Sequence, residues 1–510
     1  MRHTWRRPGL TVGGAAHMIA PLFPLLATGY APAATTRHAY TPGQAAMEIT
    51  ALPGAPAVAW KQFGGYVDVG ARGQIFFWLV ESQSATPAAD PLLLWTNGGP
   101  GCSGLTGFMT EHGPFRPTPD GTLELNKYAW NLAANMVYIE QPVGVGFSQA
   151  TGKLEYDDAL AAKDNLAFVK GFLETFPQFK TNKFFITSES YGGHYMPTLA
   201  AAIVADGGVP SFGGFMVGNP LTYLSYRNYG EFGTYYGHQL LPKPLWEEYE
   251  KAECATAAGL DPGAACEAIE ANMSKITAGF DPYGLDFPKC NDSALASGRH
   301  ERHSMRRTIA RANFAVRHPE ASSPSSSSSS SAPYPYFPAD YQPCTSDWAT
   351  AYLSRADVQA AIHAKTPQSA SGNWSACSDA VGSVYSASDT AASMVPVYRG
   401  LLNSSASRAG ALKMLIYSGD DDAVCATRGT QQFIWEMGLP LKPGRAAWAP
   451  WKMASGPGCP NGPACEQIAG FGTVWEGLSF VTVHGAGHLV PSTRPAAALR
   501  LLQDFLAGVW

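Results

Sequence analysis

The sequence predicts an α/β fold built on a mostly parallel sheet, and two observations carry this prediction. Short apolar runs recur along the chain without clean alternation of polar and apolar residues, as expected for strands covered on both faces. Between the runs at 136–140 and 183–187, residues 160–176 place apolar side chains at helical spacing and end before Pro177. Strand, helix and strand in this order form a βαβ unit, whose two strands lie parallel.

Composition sets the size of the core and excludes two classes of protein. The chain has 510 residues, which predicts about three domains or one large domain with insertions. Hydrophobic residues make up 45% and aromatic residues 12%, enough to bury a sizeable core, so wholesale disorder is excluded. The net charge of −5, from 35 basic and 40 acidic side chains, argues against nucleic acid as a partner, because nucleic-acid binders show a clustered basic excess.

Residues 1–33 have the pattern of a secretory signal peptide that is cleaved after a small residue. Three arginines precede an apolar stretch at residues 18–27, and the small residues 31–34 follow it. Two prolines interrupt the apolar stretch, which leaves a transit peptide as the alternative. No later window holds about 18 uninterrupted apolar residues, so we expect neither a membrane span nor a membrane partner.

Four sequons agree with export. They have the pattern N-x-[ST] of glycosylation acceptors and lie at Asn272, Asn291, Asn373 and Asn403. The sequence therefore predicts a soluble protein of the secretory pathway, where disulfides form.

Six apolar runs predict the main strands of the sheet, and they fall in two blocks of sequence. These runs are residues 74–80, 91–95, 136–140, 183–187, 413–417 and 478–483. A helix at residues 496–506 closes the chain. The predicted core is therefore residues 34–222 and 374–510, while residues 223–373, which lack such runs, form an insertion that we call the cap insertion.

Within the cap insertion, residues 296–336 form a linker with the composition of a disordered segment. The basic run Arg299–His318 precedes the serine run Ser325–Ser331, and such a segment has little apolar surface to bury. One interpretation is a flexible surface loop. The other is a segment exposed to proteases, since its arginines are targets for trypsin-like cleavage, and excision would leave two chains.

Three segments place reactive side chains directly after predicted strands, where parallel sheets carry their active sites. Ser190 lies in a turn similar to G-x-S-x-G, with Ser188 at the first glycine position. Residues 420–422 are three aspartates, which fit either a solvated turn or cation ligands. His484 and His488 have the i, i+4 spacing of a zinc pair, although two glycines between them disfavour the helix that would align them.

Serine, aspartate and histidine in this chain order match the triad of the α/β-hydrolases. Each of them follows a predicted strand, and three matches in the right order outweigh the alternative that each belongs to an ordinary polar loop. These patterns predict an α/β-hydrolase fold, in which helices flank a mostly parallel central sheet, with the cap insertion added to it.

Longer motifs make the sequence similar to the serine carboxypeptidases of the lysosomal, yeast-vacuolar and plant group. Residues 94–104 (LWTNGGPGCSG), 189–195 (ESYGGHY) and 485–491 (GAGHLVP) resemble the family segments WxNGGPGCSS, ESYAGHY and GAGHxVP. Ser188 and Gly192 are small residues that depart from the family pattern. The resemblance covers residues 60–510, and the layout is most similar to the plant two-chain members.

The resemblance implies a catalytic role for five of the matching residues. The triad would consist of Ser190 as nucleophile, His488 as general base and Asp422, the second aspartate of G-D-x-D, as the acid that orients the histidine. The backbone N–H groups of Gly99 and Tyr191 would form the oxyanion hole.

Four further residues would bind the free C-terminal carboxylate of a substrate, again by resemblance. They are Asn97, the N–H of Gly98, Glu111 and Glu189. Two carboxyl groups facing a third are stable only when protons are shared, because like charges raise the pKa of each group. This arrangement suits an acidic compartment. An ordinary surface glutamate is the alternative for Glu111.

The resemblance also implies how the nine cysteines pair. The disulfides would be Cys102–Cys377, Cys254–Cys266, Cys290–Cys344 and, with weaker family support, Cys459–Cys465. Cys425 would remain a free thiol near the site. Because the linker lies between Cys290 and Cys344, a disulfide would still join the two halves after excision.

The implied function is a serine-type carboxypeptidase that releases C-terminal residues from peptides and proteins at acidic pH through an acyl-enzyme. We expect no cofactor and no metal, and a vacuolar, lysosomal or extracellular location; a homodimer is left open. One alternative is a related acyltransferase that uses glucose esters, whose members typically carry Asp where this chain has Glu189. The other is a non-catalytic binding or chaperone-like relative, which an intact triad disfavours.

Overall fold

The structure is a computed structural model, and it describes residues 37–255, 263–290, 341–454 and 466–510. Four of the sequence predictions lie outside the described residues. These are the signal peptide at 1–33, the linker at 296–336, the sequon at Asn291 and the disulfide Cys459–Cys465.

The described residues contain thirteen strands. In chain order they are β1 Gln62–Asp68, β2 Gly73–Val80, β3 Leu92–Thr96, β4 Phe115–Pro117, β5 Leu123–Leu125, β6 Asn135–Ile139, β7 Gln149–Ala150, β8 Phe184–Glu189, β9 Phe212–Gly218, β10 Lys413–Gly419, β11 Ala449–Ala454, β12 Glu466–Val474 and β13 Leu478–Val483. All six predicted runs are confirmed as strands, within one or two residues at each end.

The described residues contain sixteen α-helices. They are α1 Pro42–Ala45, α2 Leu105–Thr110, α3 Asp158–Thr175, α4 Gly192–Asp206, α5 Ser225–Gly237, α6 Lys243–Lys251, α7 Gly263–Thr277, α8 Thr345–Leu353, α9 Ala356–Ala361, α10 Asp379–Gly382, α11 Ala387–Thr390, α12 Val395–Leu402, α13 Ser405–Arg408, α14 Thr427–Glu436, α15 Val490–Thr493 and α16 Pro495–Ala507. The predicted helices at 160–176 and 496–506 are α3 and α16. No helix in the described ranges is long and apolar enough to cross a membrane.

One large sheet forms the centre of the fold, in the order β1-β2-β6-β3-β8-β9-β10-β13-β12-β11, with β7 paired to β2. The six central strands from β6 to β13 run parallel, and antiparallel strands complete both edges. The prediction of a mostly parallel sheet is confirmed. Because β3, β8, β10 and β13 all end at the same edge, the loops that follow them meet there.

Two apolar clusters cover the two faces of this sheet, which explains why its strands lack polar alternation. In β8, Ile186 packs into the cluster that includes α3 and α4, whereas Phe185 points to the opposite face and contacts Phe505 of α16, with ring centroids 5.1 Å apart. Successive side chains of a strand alternate between faces, so both positions must be apolar when both faces are covered.

The cap insertion divides into two parts that pack differently. Helices α5, α6 and α7 form a third apolar cluster around Trp246 and Tyr249, which the disulfide Cys254–Cys266 closes. Helices α8 and α9, which the sequence places in the cap insertion, instead contribute Leu353 and Val358 to a cluster on the sheet. The disulfide Cys290–Cys344 joins the two parts.

Candidate active site

Ser190 occupies a sharp turn between β8 and α4. Its φ is +59°, a left-handed conformation that a non-glycine residue adopts at a cost of about 1–3 kcal/mol. Hydrogen bonds from both sides hold this turn: Ser190 N donates to Gly218 O at 3.0 Å, and Leu221 N donates to Ser190 O at 2.8 Å. The backbone leaving β9 therefore fixes the turn at Ser190.

The two departures from the family pattern, Ser188 and Gly192, compensate each other. A Cβ atom at position 192 would lie 2.1 Å from Ser188 Oγ and 2.4 Å from Ser188 Cβ. Rotation of the hydroxyl cannot relieve a clash with Cβ, and Ser188 is fully buried in β8. The glycine at 192 therefore leaves space for the Ser188 side chain, so the sharp turn at Ser190 forms despite both departures.

We expect Gly192→Ala to destabilise the fold by about 1–3 kcal/mol through overpacking and to lower kcat/KM. Ser188→Gly removes the side chain that the new methyl meets, so the double variant should recover most of both losses. Thermal unfolding and kcat/KM of the four proteins give the coupling energy. Additive effects of the two substitutions would show that the Ser188 side chain is not what prevents a larger residue at position 192.

Asp422 is the aspartate that bonds to the histidine. Its Oδ2 accepts from His488 Nδ1 at 2.8 Å and from Asn219 Nδ2 at 2.8 Å, and both His488 and Asp422 are fully buried. The N–H groups of Val424 and Cys425 donate to the same carboxylate at 2.7 and 3.1 Å. With donors on both oxygens, the carboxylate holds one orientation toward His488.

Asn219 has a role that the sequence analysis missed. It follows β9, and its Oδ1 accepts from Gly419 N at 2.9 Å while its Nδ2 donates to Asp422. The only sequence signal was a polar residue at a strand end. Three glycines in β9, Gly213, Gly214 and Gly218, hide that strand from a search for apolar runs.

The other two aspartates at the end of β10 have different partners. Asp420 accepts from Gly485 N at 2.6 Å and pairs with His484 Nδ1 at 2.8 Å, near the protein surface. His484 is thus exposed and paired with Asp420, whereas His488 is buried and paired with Asp422, so the two histidines have different partners and do not share the site that a zinc pair needs. Asp421 is buried beside the cap insertion.

His488 is oriented by the cap insertion as well as by Asp422. Its backbone N donates to Tyr283 O at 2.7 Å, and the Tyr283 ring meets the imidazole edge-on with centroids 5.1 Å apart. Its Nε2 is buried and has no hydrogen-bond partner in the part of the chain that the structure describes. With Nδ1 bonded to Asp422, Nε2 is the nitrogen left to accept a proton.

The loop after β3 lies directly against the turn at Ser190. A Cβ atom on Gly98 would lie 2.4 Å from Tyr191 N and 2.9 Å from Ser190 Cβ, so only glycine allows this approach. Gly99 has a φ of +117°, which also favours glycine. The contact brings Gly98, the residue before Gly99, beside Tyr191 N, which is compatible with the predicted oxyanion hole of Gly99 and Tyr191. The disulfide Cys102–Cys377 anchors the loop.

Three buried polar side chains form a cluster beside the turn at Ser190. Asn97 Nδ2 donates to Glu111 Oε1 at 3.0 Å and to Glu189 Oε1 at 2.8 Å. Asn97 Oδ1 accepts from Gly107 N and Trp95 Nε1, each at 2.9 Å, which fixes the amide with its nitrogen toward the two carboxyl groups. Glu111 is thus no surface residue: it is 1% exposed.

Both carboxyl groups in this cluster favour the protonated form. Burial raises the pKa of Glu111 to about 7, and burial together with the neighbouring Glu111 charge raises the pKa of Glu189. The second oxygens, Glu111 Oε2 and Glu189 Oε2, receive no hydrogen bond from an N–H or hydroxyl among the described residues. They are therefore free to hold a shared proton or to bond to a ligand.

Cys425 is a buried free thiol that forms a side-chain hydrogen bond with Ser190, and burial raises its pKa well above the usual value. An organomercurial that reaches it should inhibit the enzyme slowly, because the thiol stays protonated and its adduct would block Ser190. Cys425→Ser should keep activity and resist the reagent. Rates of inactivation measure this difference, and inhibition that persists in the variant would place the reactive thiol elsewhere.

A serine on a strained turn after a parallel strand, a buried His–Asp pair and a glycine loop facing the serine define a serine hydrolase of the α/β-hydrolase fold. The comparisons give its family. The serine carboxypeptidase family model matches residues 53–508. The mouse lysosomal protective protein is 34% identical over 509 residues, covering 96% of this chain and 98% of that protein. The chain belongs to the serine carboxypeptidase family, which confirms the resemblance.

Two further comparisons agree with this assignment. Serine carboxypeptidase-like 22 of Arabidopsis thaliana is 34% identical over 472 residues, covering 90% of this chain and 92% of that protein. The crystal structure of Kex1(delta)p, a prohormone-processing carboxypeptidase from Saccharomyces cerevisiae, matches with a TM-score of 0.66 at 19% identity, covering 88% of this chain and 91% of that one. At that identity the second match supports the fold alone.

Proposed function

We propose that this enzyme releases C-terminal residues from peptides and proteins at acidic pH, with Ser190, Asp422 and His488 as its catalytic triad. The observation that carries the proposal is the buried cluster of Asn97, Glu111 and Glu189 directly beside Ser190. A serine hydrolase without a free carboxylate to recognise has no use for two protonated carboxyl groups at this place.

The proposed chemistry is that of a serine-histidine-aspartate triad, supported by the bond between His488 Nδ1 and Asp422. His488 Nε2 takes the proton of Ser190 Oγ as the oxygen attacks the scissile carbonyl, and Asp422 holds the imidazole and stabilises its positive charge. The N–H groups of Gly99 and Tyr191 stabilise the oxyanion. The imidazolium then protonates the leaving amine, which leaves an acyl-enzyme on Ser190. Water, activated by His488, hydrolyses that ester and restores the serine.

Recognition of the C-terminal residue rests on the second oxygens of the two glutamates and on the Gly98 N–H. A protonated Glu111 or Glu189 donates to the substrate carboxylate, and Asn97 holds both glutamates in place. Removing the shared proton would set three negative charges against one another in a buried site. The need for this proton favours peptide hydrolysis at acidic pH.

The disulfides and the sequons support a route through the secretory pathway. Disulfides form in oxidising compartments, and this chain has three among its described residues. Asn272, Asn373 and Asn403 are exposed, as glycosylation requires. We propose the lysosome, the vacuole or the extracellular space as the destination.

A fluorophosphonate probe and product analysis test this proposal together. The enzyme should be labelled at Ser190, and it should release free C-terminal amino acids from a blocked dipeptide at acidic pH. Ser190→Ala should lose both. A labelled enzyme that transfers acyl groups from a glucose ester and leaves the peptide intact would favour the acyltransferase. An enzyme that neither reacts with the probe nor cleaves peptides would favour a non-catalytic relative.

A further inference from the structure

The middle aspartate of the loop after β10 has a role that the triad does not use. Asp421 is 1% exposed, and its Oδ2 accepts from Asp286 N at 3.0 Å. Its other oxygen, Oδ1, is buried and receives no hydrogen bond from any described residue. A buried carboxylate oxygen without a donor is costly, so a missing partner is expected at this place.

A histidine of the cap insertion lies next to that oxygen at a spacing typical of metal ligands. His238, which follows α5, places its Nδ1 3.7 Å from Asp421 Oδ1. This distance is too long for a hydrogen bond, which needs roughly 2.7–3.2 Å. Two atoms that are each about 2.1 Å from one zinc ion lie about 3.4 Å apart in tetrahedral geometry, close to the observed spacing.

A third ligand comes from another loop of the cap insertion. A carboxylate oxygen of Asp286 lies within 4.8 Å of the ligand atoms of both His238 and Asp421. Asp286 is exposed, so its side chain has room to close the remaining distance. His238 also lines a cleft of about 590 Å³ between α5 and α14, which gives an ion access from solvent.

Charge balance at this place favours a cation. Among the described residues, the Arg494 guanidinium interacts with Asp286, Asp420 and Asp421. The Arg494 side chain also donates to Thr493 O and lies over the Phe287 ring. Asp420 is already bonded to His484, which leaves the carboxylates of Asp286 and Asp421 beside His238 as ligands that suit a divalent ion.

We propose that His238, Asp286 and Asp421 form a divalent-cation site that prefers zinc. One imidazole nitrogen and two carboxylate oxygens form a donor set that suits zinc better than calcium, which takes oxygen ligands alone. The site lies outside the triad and differs from the sequence expectation that the protein has no metal. The sequence allowed two interpretations of the aspartates at 420–422, a solvated turn or cation ligands. The proposed site applies the second interpretation to Asp421 alone.

The site would connect the cap insertion to the catalytic loop. His238 and Asp286 belong to the cap insertion, whereas Asp421 directly precedes Asp422 of the triad. The backbone makes the same connection, since Leu285 N donates to Asp421 O at 3.2 Å and Ala423 N donates to Pro282 O at 2.9 Å. A bound ion would therefore stabilise the position of the cap insertion over Asp422 and His488.

Titration of the metal-free full-length chain with Zn²⁺ at pH 7, followed by calorimetry, tests the site. The measurement uses the Ser190→Ala variant, so its outcome does not depend on the proposed peptidase activity. We expect one Zn²⁺ per chain, with affinity at least tenfold weaker in Asp421→Asn and His238→Gln, and a higher Tm on zinc addition that both variants lose. Ca²⁺ should bind far more weakly.

His484→Ala is the matched control, because His484 also lies beside an aspartate but its Nδ1 is already bonded to Asp420. This variant should bind Zn²⁺ like the parent. Affinity that is unchanged in Asp421→Asn and His238→Gln, or lost in His484→Ala, would overturn the proposal. Circular dichroism identifies a variant that fails to fold. In that case Asp286→Asn, which changes an exposed ligand, replaces it and should also weaken Zn²⁺ binding at least tenfold.

Discussion

Asp422→Asn is expected to lower kcat roughly 10,000-fold while the protein stays folded. The Asp422 carboxylate accepts from His488 Nδ1, Asn219 Nδ2 and the N–H groups of Val424 and Cys425. An amide offers one oxygen to these donors and turns its NH₂ group toward the others. The arrangement that puts NH₂ toward His488 Nδ1 selects the tautomer that carries its proton on Nε2, and that nitrogen is then no base.

Two further variants separate orientation of the histidine from general damage to the loop. Asp420→Asn, in the same loop but bonded to His484 and Gly485, should keep kcat within about threefold. Asn219→Ala removes one of the four donors to Asp422 and should cost about tenfold. Pre-steady-state bursts with an ester substrate report acylation directly. A kcat that falls more in Asp420→Asn than in Asp422→Asn would show that the wrong aspartate has been assigned.

The elements that the sequence predicts well are those fixed by local pattern. Buried parallel strands need apolar residues on both faces, so runs such as 183–187 and 413–417 identify β8 and β10 without reference to the rest of the chain. The glycine loop and the turn at Ser190 are likewise recognised from local motifs, at residues 94–104 and 189–195. The close contact between Gly98 and Ser190, which leaves no space for a side chain at position 98, is visible only in the structure.

The features that the sequence leaves out depend on contacts between distant segments. Asn219 gains its role only because β9 ends beside β10, and β9 escapes detection because its glycines interrupt the apolar run. Helices α8 and α9 follow the linker in sequence, yet Leu353 and Val358 pack on the sheet. The closeness of Asp421 to His238 and Asp286 is likewise a contact between distant segments, which no residue pattern within 420–422 indicates.

The pH dependence of peptide binding should follow the two glutamates of the recognition cluster. A carboxyl group is neutral below its pKa, and the pKa of Glu111 is raised to about 7 with that of Glu189 raised as well. Below pH 7 both carboxyl groups therefore hold a proton that can bond to the substrate carboxylate. As the pH rises past 7, Glu111 ionises and its charge opposes that of the substrate, so KM for a peptide acid should rise by up to about tenfold per pH unit.

A C-terminal amide of the same peptide provides the internal control, because it brings no negative charge to the cluster. Its KM should stay nearly constant over the pH range in which KM of the acid rises, so the pH optimum of the acid should lie below that of the amide.

Glu111→Gln/Glu189→Gln replaces both carboxyl groups by amides that donate without titrating. The double variant should remove most of the difference in pH optimum between the acid and the amide, and each single variant should remove part of it. Because Asn97 bonds to both residues, the cluster is expected to stay assembled in these variants. One shared pH profile for acid and amide in the unmodified enzyme would mean that Glu111 and Glu189 do not bind the substrate carboxylate.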